Sequence, residues 1–294
     1  MSNGRQAAMM PNDLTIRRMY ATDLAFAAQC TAGEGWASET LASFEGFYQH
    51  DPEGCLLAEH AGHPAGICIA TPYGRSGFVG ELIVRPEMRG QGIGAALLHH
   101  AVTHLRERGA ATVYLDGVVK AVPLYERYGF RKICRSLRFS GTLSGRQHAH
   151  IRLMQASDLA SVFTLDRKAF GADRSFFLAH GLRLFPELCY VMIEDGKLCG
   201  FILGRHGEGW AAAGPWVMAH THRDALHLLA SLAGAADAAS IGVGVLESNR
   251  IAVELIRSLG FTSREDSPWR MALGPSSDLG ASPQCFAVGT AATG

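Results

Sequence analysis

The chain predicts an α/β (α+β) fold built as two tandem domains, and three observations predict it. Its 294 residues, 48% of them hydrophobic, suffice for two cores of ordinary size. A strand, a glycine-dense turn and an amphipathic helix follow one another from Glu81 to Leu105, the βα pattern of a mixed sheet. Finally, the pattern of the first half begins again at Ile151, which at this period marks a repeated whole domain rather than a solenoid unit.

Residues 1–13 read as a disordered leader without the apolar core of a signal peptide. A first domain over 14–140 opens with the strand Thr15 to Met19 and a helix entered near Thr22 or Asp23, both cap-forming types. Gly33 to Trp36 is a turn, and Leu41, Phe44 and Phe47 space a second helix over Glu39 to Gln49. Strands Cys55–Glu59 and Ala65–Thr71 form a hairpin across Ala61-Gly62-His63, followed by the strand Phe78–Val84. Ile93, Leu97, Leu98, Val102 and Leu105 fall on one face of a long helix that Gly109 stops. A strand over Thr112–Leu115, a helix over Ala121–Tyr128 and a strand over Arg131–Phe139 complete the first copy. After a polar linker, 141–149, the second domain covers 150–294. Ile16-Arg17-Arg18-Met19 returns as Ile151-Arg152-Leu153-Met154, and Ala121-Val122 through Gly129-Phe130 as Ala252-Val253 through Gly260-Phe261. The tail Gln284 to Val288 is apolar enough for a terminal strand.

Charge and composition exclude several classes. Lys+Arg and Asp+Glu are 27 each, so no net field recruits nucleic acid or an anionic membrane. No run approaches eighteen apolar residues, and a cytoplasmic protein without membrane partners is expected. Seven scattered cysteines without a C-x-x-C pair disfavour disulfides and zinc. The adjacent pair His99-His100 diverges by about 100° on a helix, so no metal is expected.

The chemistry concentrates in one turn. Gly90, Gly92 and Gly94 let the main chain approach a ligand, and the first free N–H groups of the helix add the positive end of its dipole, which suits a pyrophosphate. Gly90 to Ala95 also fits the dinucleotide fingerprint G-x-G-x-x-A, with Asp116 about twenty residues on, but Arg85 to Arg89 stand between strand and turn. Val84-x-Pro86 followed by Arg89-x-x-Gly92-x-Gly94 resembles the acetyl-coenzyme A loop of the GNAT acyltransferase superfamily, and Leu124-Tyr125-Glu126 before Gly129-Phe130 resembles its second motif.

That resemblance implies, for each copy, a mixed, mostly antiparallel twisted sheet flanked by helices. It implies a splayed strand at Leu82, Ile83 and Val84 whose free N–H groups meet pantetheine and the thioester oxygen. It implies a pyrophosphate site on Arg89, Gly90, Gln91, Gly92, Ile93, Gly94 and Ala95. Tyr125 would be the proton donor, Glu81 the first candidate base and Asp116 the second, with Trp36 and Phe47 as pocket walls. Val118 replaces an asparagine common in the family, which the second copy keeps as Asn249. The second copy has His220-Thr221-His222-Arg223-Asp224 in place of the glycine loop and Ile256 in place of Tyr125. It is therefore expected to be degenerate, shaping the acceptor pocket or a homodimer, unless the His220/His222 pair binds a ligand of its own. The implied activity is direct acetyl transfer from acetyl-CoA to a primary amine on a small molecule or peptide. The alternative is a non-catalytic acyl-CoA sensor.

Overall fold

The computed structural model describes residues 13–36, 39–207, 209–220, 224–275, 278–290 and 292–294. In the first half the elements are β1 (Leu14–Arg18), α1 (Leu24–Gly33), α2 (Leu41–His50), β2 (Cys55–His60), β3 (His63–Tyr73), β4 (Ser76–Val84), α3 (Ile93–Glu107), β5 (Thr112–Gly117), α4 (Val122–Tyr128) and β6 (Arg131–Gly141). The second half repeats the order with β7 (Ile151–Leu153), α5 (Leu159–Phe170), α6 (Ser175–Leu184), β8 (Tyr190–Glu194), β9 (Lys197–Gly207), β10 (Trp210–Met218), α7 (Ala225–Ala235), β11 (Ser240–Leu246) and α8 (Arg250–Ser258). It closes with β12 (Thr262–Ser263), β13 (Trp269–Leu273) and β14 (Cys285–Ala287).

The repeat is visible atom by atom at the start of each copy. Asp23 accepts from the Tyr20 N–H at 2.7 Å and pairs with Arg17 at 2.7 Å; Asp158 accepts from the Gln155 N–H at 2.8 Å and pairs with Arg152 at 2.7 Å. In both copies one carboxylate caps a turn whose N–H groups have no helical partner and also fixes the preceding strand. The hairpin turns repeat too, with Ala61-Gly62 and Asp195-Gly196 all at positive φ, the geometry that a tight two-residue hairpin demands.

One fourteen-stranded sheet runs through both halves in the order β1-β2-β3-β4-β5-β13-β6-β11-β10-β9-β8-β7, with β12 on β6 and β14 on β10. Only β4–β5 and β10–β11 are parallel, as expected of a mixed, mostly antiparallel sheet. The sequence divides at 141–149, yet the strands cross that boundary. β13, from the second half, lies between β5 and β6, pairing Trp269–Leu273 with Gly117–Val113 on one side and Trp269–Ala272 with Arg135–Arg131 on the other. The far end of β6 pairs in turn with β11.

Helices cover both faces. α3 lays Ile93, Leu97, Leu98, Val102 and Leu105 on Val79, Val113, Leu115 and Met271. On the other face α1 and α2 bury Leu24, Phe44 and Phe47 against Met19, Ile67, Ile69 and Ile83. Phe47 is thus part of the core, its ring 5.8 Å from that of Phe44, and not a wall of the large cleft. In the second half α7 packs Leu228, Leu229 and Leu232 in one cluster with Trp216, Val243 and Phe286.

β13 is pinned by charge as well as by its ladder. Arg270 is buried and donates from Nε to Asp116 Oδ1 at 2.6 Å, while Arg138 on β6 pairs with Asp116 Oδ2 at 2.8 Å and the Ser136 hydroxyl donates to the same oxygen at 2.8 Å. Arg270→Leu strands a buried carboxylate with one guanidinium fewer. It is expected to cost about 3 kcal/mol in urea unfolding, and Asp116→Asn in the same chain should recover part of that loss.

Candidate active site

β4 and β5 pair in parallel only as far as Val79 and Leu115, and beyond that point the strands part. The main chain from Gly80 to Val84 therefore has no strand opposite it on that side. The cause is visible at Glu81, whose φ of 47° lies in the left-handed region and coincides with a register shift against β3 between Ile67 and Ile69. Such a bulge bends one strand away from its neighbour, and a non-glycine residue held there stores roughly 1–3 kcal/mol of strain. Leu82, Ile83 and Val84 all line the resulting cleft.

The glycine turn sits at the mouth of this cleft. Gly90 and Gly92 have φ of 78° and 82°, and Gly92 caps α3. Ala96 donates to the Gly92 carbonyl at 3.0 Å, so the N–H groups of Ile93, Gly94 and Ala95 precede the first intrahelical bond and point out of the helix. A Cβ on Gly90 or Gly92 would meet nothing within 4 Å; what the glycines supply is the backbone conformation. Outward N–H groups in this arrangement can receive a polyanion, and a diphosphate fits such donors. Arg89 lies beside them but is engaged, donating from Nε to the Val84 carbonyl at 2.9 Å and ion-paired to Glu34. Glu34 also takes Lys120 at 3.1 Å, so a carboxylate ties two cations together at the cradle's edge.

Deeper in, a cavity of about 1650 Å³ runs from the cradle to the second half, lined on one side by Glu81, Tyr125 and Trp36 and on the other by Arg205, Trp210 and Val243. Tyr125 on α4 is buried beside Gly117, where any Cβ would come within 2.8 Å of its ring, and burial raises its phenol above the ordinary value. The Glu81 side chain is 2% exposed and neither carboxylate oxygen has a hydrogen-bond partner. Desolvation, with the neighbouring Glu39 carboxylate adding to it, holds Glu81 well above the usual carboxylate range. Asp116 is the opposite case: Arg270 and Arg138 outweigh its burial and hold it below that range. A carboxylate so committed makes a poor base, and of the two candidates only Glu81 is free to take a proton.

Two members of the site escaped the sequence reading. Glu39, just before α2, is 4% exposed; neither oxygen has a partner in good hydrogen-bond geometry, although the Ser43 and Thr290 hydroxyls lie near enough to favour its charged form. Arg205, on β9, has a buried, unpaired Nε and donates from Nη1 to the Gly289 carbonyl at 3.2 Å. The only signal for Arg205 was a cation closing the apolar run Phe201-Ile202-Leu203, and for Glu39 there was none.

The same opening exists in the second half, where it is filled. β10 and β11 pair as far as Ala213 and Val243, and β10 shifts register between Ala213 and Trp216. β14 enters between the parted strands, pairing Trp216 with Ala287 and Val217 with Cys285, while the Val288 N–H donates to Gly244 on β11 at 2.9 Å. Asn249 spends its amide on this segment, donating to the Cys285 carbonyl at 2.8 Å and the Pro283 carbonyl at 3.2 Å. Of the loop that replaces the glycines, Thr221, His222 and Arg223 lie outside the described residues, so the His220/His222 pair has no geometry to report. Among the described residues no group of three His, Cys, Asp or Glu side chains is placed to hold a metal, and no helix is long and apolar enough to cross a membrane.

Comparison with known proteins agrees with this geometry. Residues 20–130 match the model of the Acetyltransferase (GNAT) family, and residues 162–286 match that of an Acetyltransferase (GNAT) domain. The mycothiol acetyltransferase of Thermobispora bispora is 37% identical over 107 residues, covering 33% of this chain and 36% of that protein, so the chain spans about a third of that relative's length. The ribosomal protein bS18-alanine N-acetyltransferase of Escherichia coli is 29% identical over 149 residues, 49% of this chain and 98% of that enzyme. A solved acetyltransferase-fold structure from Pyrococcus horikoshii covers 100% of both chains with a TM-score of 0.80 at 22% identity, a likeness of fold.

Because Gly92 holds a left-handed cap, Gly92→Ala should lower stability by about 1 kcal/mol and tilt the first N–H groups of α3. Calorimetry with coenzyme A is expected to show binding weakened on the order of tenfold, a loss of about 1.4 kcal/mol.

Proposed function

Both halves of this chain belong to the GNAT acetyltransferase superfamily, and from that premise we propose that the first half moves an acetyl group from acetyl-CoA directly to a primary amine. The observation that carries the reading is the open splay beside Glu81 and Tyr125, set against its filled counterpart in the second half. The cradle of Gly90 to Ala95, with Arg89 alongside, would hold the diphosphate, and the edge of Leu82, Ile83 and Val84 would meet the pantetheine arm and the thioester oxygen. When bound, the thioester supplies an activated carbonyl.

The chain's own groups then divide the work. Glu81, once ionised at the alkaline end of its raised range, takes the proton from the acceptor ammonium, which frees the nitrogen lone pair for attack on the carbonyl carbon. Main-chain donors along the unpaired edge of β4 stabilise the charge that develops on oxygen, and they do so without reorganising. As the carbon–sulfur bond breaks, the Tyr125 phenol gives its proton to sulfur, and the second proton that the nitrogen sheds as the amide forms returns to the phenolate. A phenol raised by burial stays protonated at neutral pH, so the donor is always loaded. No cysteine lines the cavity among the described residues, which favours direct transfer over an acyl-enzyme. A pure sensor would have no use for an unpaired buried carboxylate at this place. The second copy, its cleft closed by β14, serves as a wall of the acceptor pocket, and one acetyl-CoA per chain is expected by calorimetry.

Glu81 gives a test with two readouts. Its folded-state value lies above the unfolded one, so the folded chain retains a proton that the unfolded chain loses near pH 4.3, and stability falls as pH rises above about 4.3. Glu81→Gln removes that cost. The variant should melt higher than the parent at neutral pH, with the gap closing towards pH 4, while release of free CoA falls on the order of 100-fold or more and loses its alkaline rise. Tyr125→Phe should depress turnover without changing acetyl-CoA affinity. An unaltered rate in both variants would remove the proposed chemistry.

A further inference from the structure

Three ionisable side chains from three separate elements line the cavity without forming an ion pair with one another. Glu39 comes from the segment before α2, Glu81 from the bulge of β4, and Arg205 from β9 of the second half. All four carboxylate oxygens and the Arg205 Nε are buried and lack hydrogen-bond partners. Arg205 itself is half-buried by area and lines the cavity. The three still feel one another: the Arg205 charge opposes the upward shift of both glutamates, and both glutamates support the Arg205 charge.

Groups of opposite charge this deep usually close into ion pairs, since an unpaired buried charge costs several kcal/mol. Here they stay apart, leaving an acceptor set and a donor set facing a common space. A simple alkylamine would satisfy only the carboxylates. It would also bring a second cation next to Arg205, which already feels the positive charge of Arg138 on β6. A ligand carrying both an ammonium and a carboxylate satisfies both sets and adds no net charge. The apolar wall of Trp36, Trp210 and Val243 leaves room for a hydrocarbon portion.

Resting on the acetyl-transfer reading, we propose that the acceptor is an amino acid in the broad sense, a primary amine that also bears a carboxylate. Its ammonium is placed between Glu39 and Glu81, and its carboxylate is received by Arg205. Arg205 is then the specificity-determining residue of this site, and the second copy of the fold supplies it. A planar guanidinium suits the task because it binds a carboxylate through two parallel N–H groups. Discrimination follows from the penalty on the wrong ligand, which leaves the Arg205 Nε buried and unpaired.

The experiment uses the full chain and matched pairs: unbranched amino acids from glycine to aminohexanoate, and leucine, each set against the alkylamine of the same carbon skeleton without the carboxylate. The first arm measures free CoA release with acetyl-CoA present; the second measures thermal stabilisation by each compound alone. In at least one pair the carboxylated member should be preferred on the order of 100-fold in kcat/KM and should alone raise the melting temperature. In Arg205→Met that ratio should fall to about one, with Arg205→Lys between, while acetyl-CoA affinity by calorimetry is unchanged in both. Equal or better use of the plain amines, a ratio that survives Arg205→Met, or a panel in which no carboxylated amine binds would each overturn the proposal. Carboxylated amines that bind through Arg205 while acetyl-CoA does not bind would instead uphold the site and remove the transfer reading.

Discussion

The insertion of β13 between β5 and β6 is the constraint on which the rest depends. Without it the first half would lack the strand that carries Met271 into its core and Arg270 onto Asp116. A fully buried carboxylate is costly to desolvate, and here the cost is offset by two guanidinium groups and a hydroxyl on the same two oxygens. Since one of the guanidinium groups comes from residues more than 150 positions further along the chain, the first sheet cannot be finished until the second half has been made. The two copies therefore fold as a single sheet, and the register of β13 against β5 and β6 fixes how the second half faces the cleft of the first. The same cluster holds Arg138, a lining residue of the cavity, so the structural ion pair and the wall of the site are one construction.

Within that sheet the same geometric event happens twice with different outcomes. In each copy a parallel pair parts after four residues, where the fourth-position strand shifts register against its antiparallel neighbour. Parted strands expose main-chain donors and acceptors that must find partners. In the second copy β14 supplies them, and Phe286 from the same segment is fully buried in the core. In the first copy no segment among the described residues enters, although the tail beyond β14 passes close by, with Val288, Gly289 and Thr290 lining the cavity. The same opening is thus closed by the chain in one copy and left open to the cavity in the other.

Much of this was legible in the sequence because it rests on local rules. The glycine turn before α3, the helix face from Ile93 to Leu105 and the terminal strand near Cys285 each follow from a short stretch of chain, and each stands where spacing and turn chemistry placed it; that Gly90 and Gly92 serve by a left-handed backbone came from the structure. Glu81 was legible only as a carboxylate on the right strand; its bulge and its lack of partners are tertiary. Phe47 was read as a pocket wall because an aromatic on a helix near the cleft has two faces to choose from, and packing against Phe44 chose the core. Arg205 and Glu39 were out of reach for a stronger reason. Their meaning lies in a juxtaposition of three elements spread over more than 160 residues, and no periodicity encodes that.

The exchange of strands explains why a copy with a filled cleft is retained at all. A domain that merely buttressed the first sheet would be expected to bury apolar groups at the junction, since hydrophobic replacement of buried charge is often neutral or stabilising. The junction instead keeps Arg205 unpaired at Nε opposite two unpaired carboxylates, an arrangement that weakens the folded state above the ordinary carboxylate range. Groups held against their own stability concentrate where a ligand completes them. Burial raises the proton affinity of Glu81, Glu39 adds to it, and the Arg205 charge opposes the rise in both glutamates. One copy supplies the two glutamates and the other the guanidinium that offsets them, so the electrostatic balance of the cavity is a property of the fused sheet and of neither half alone.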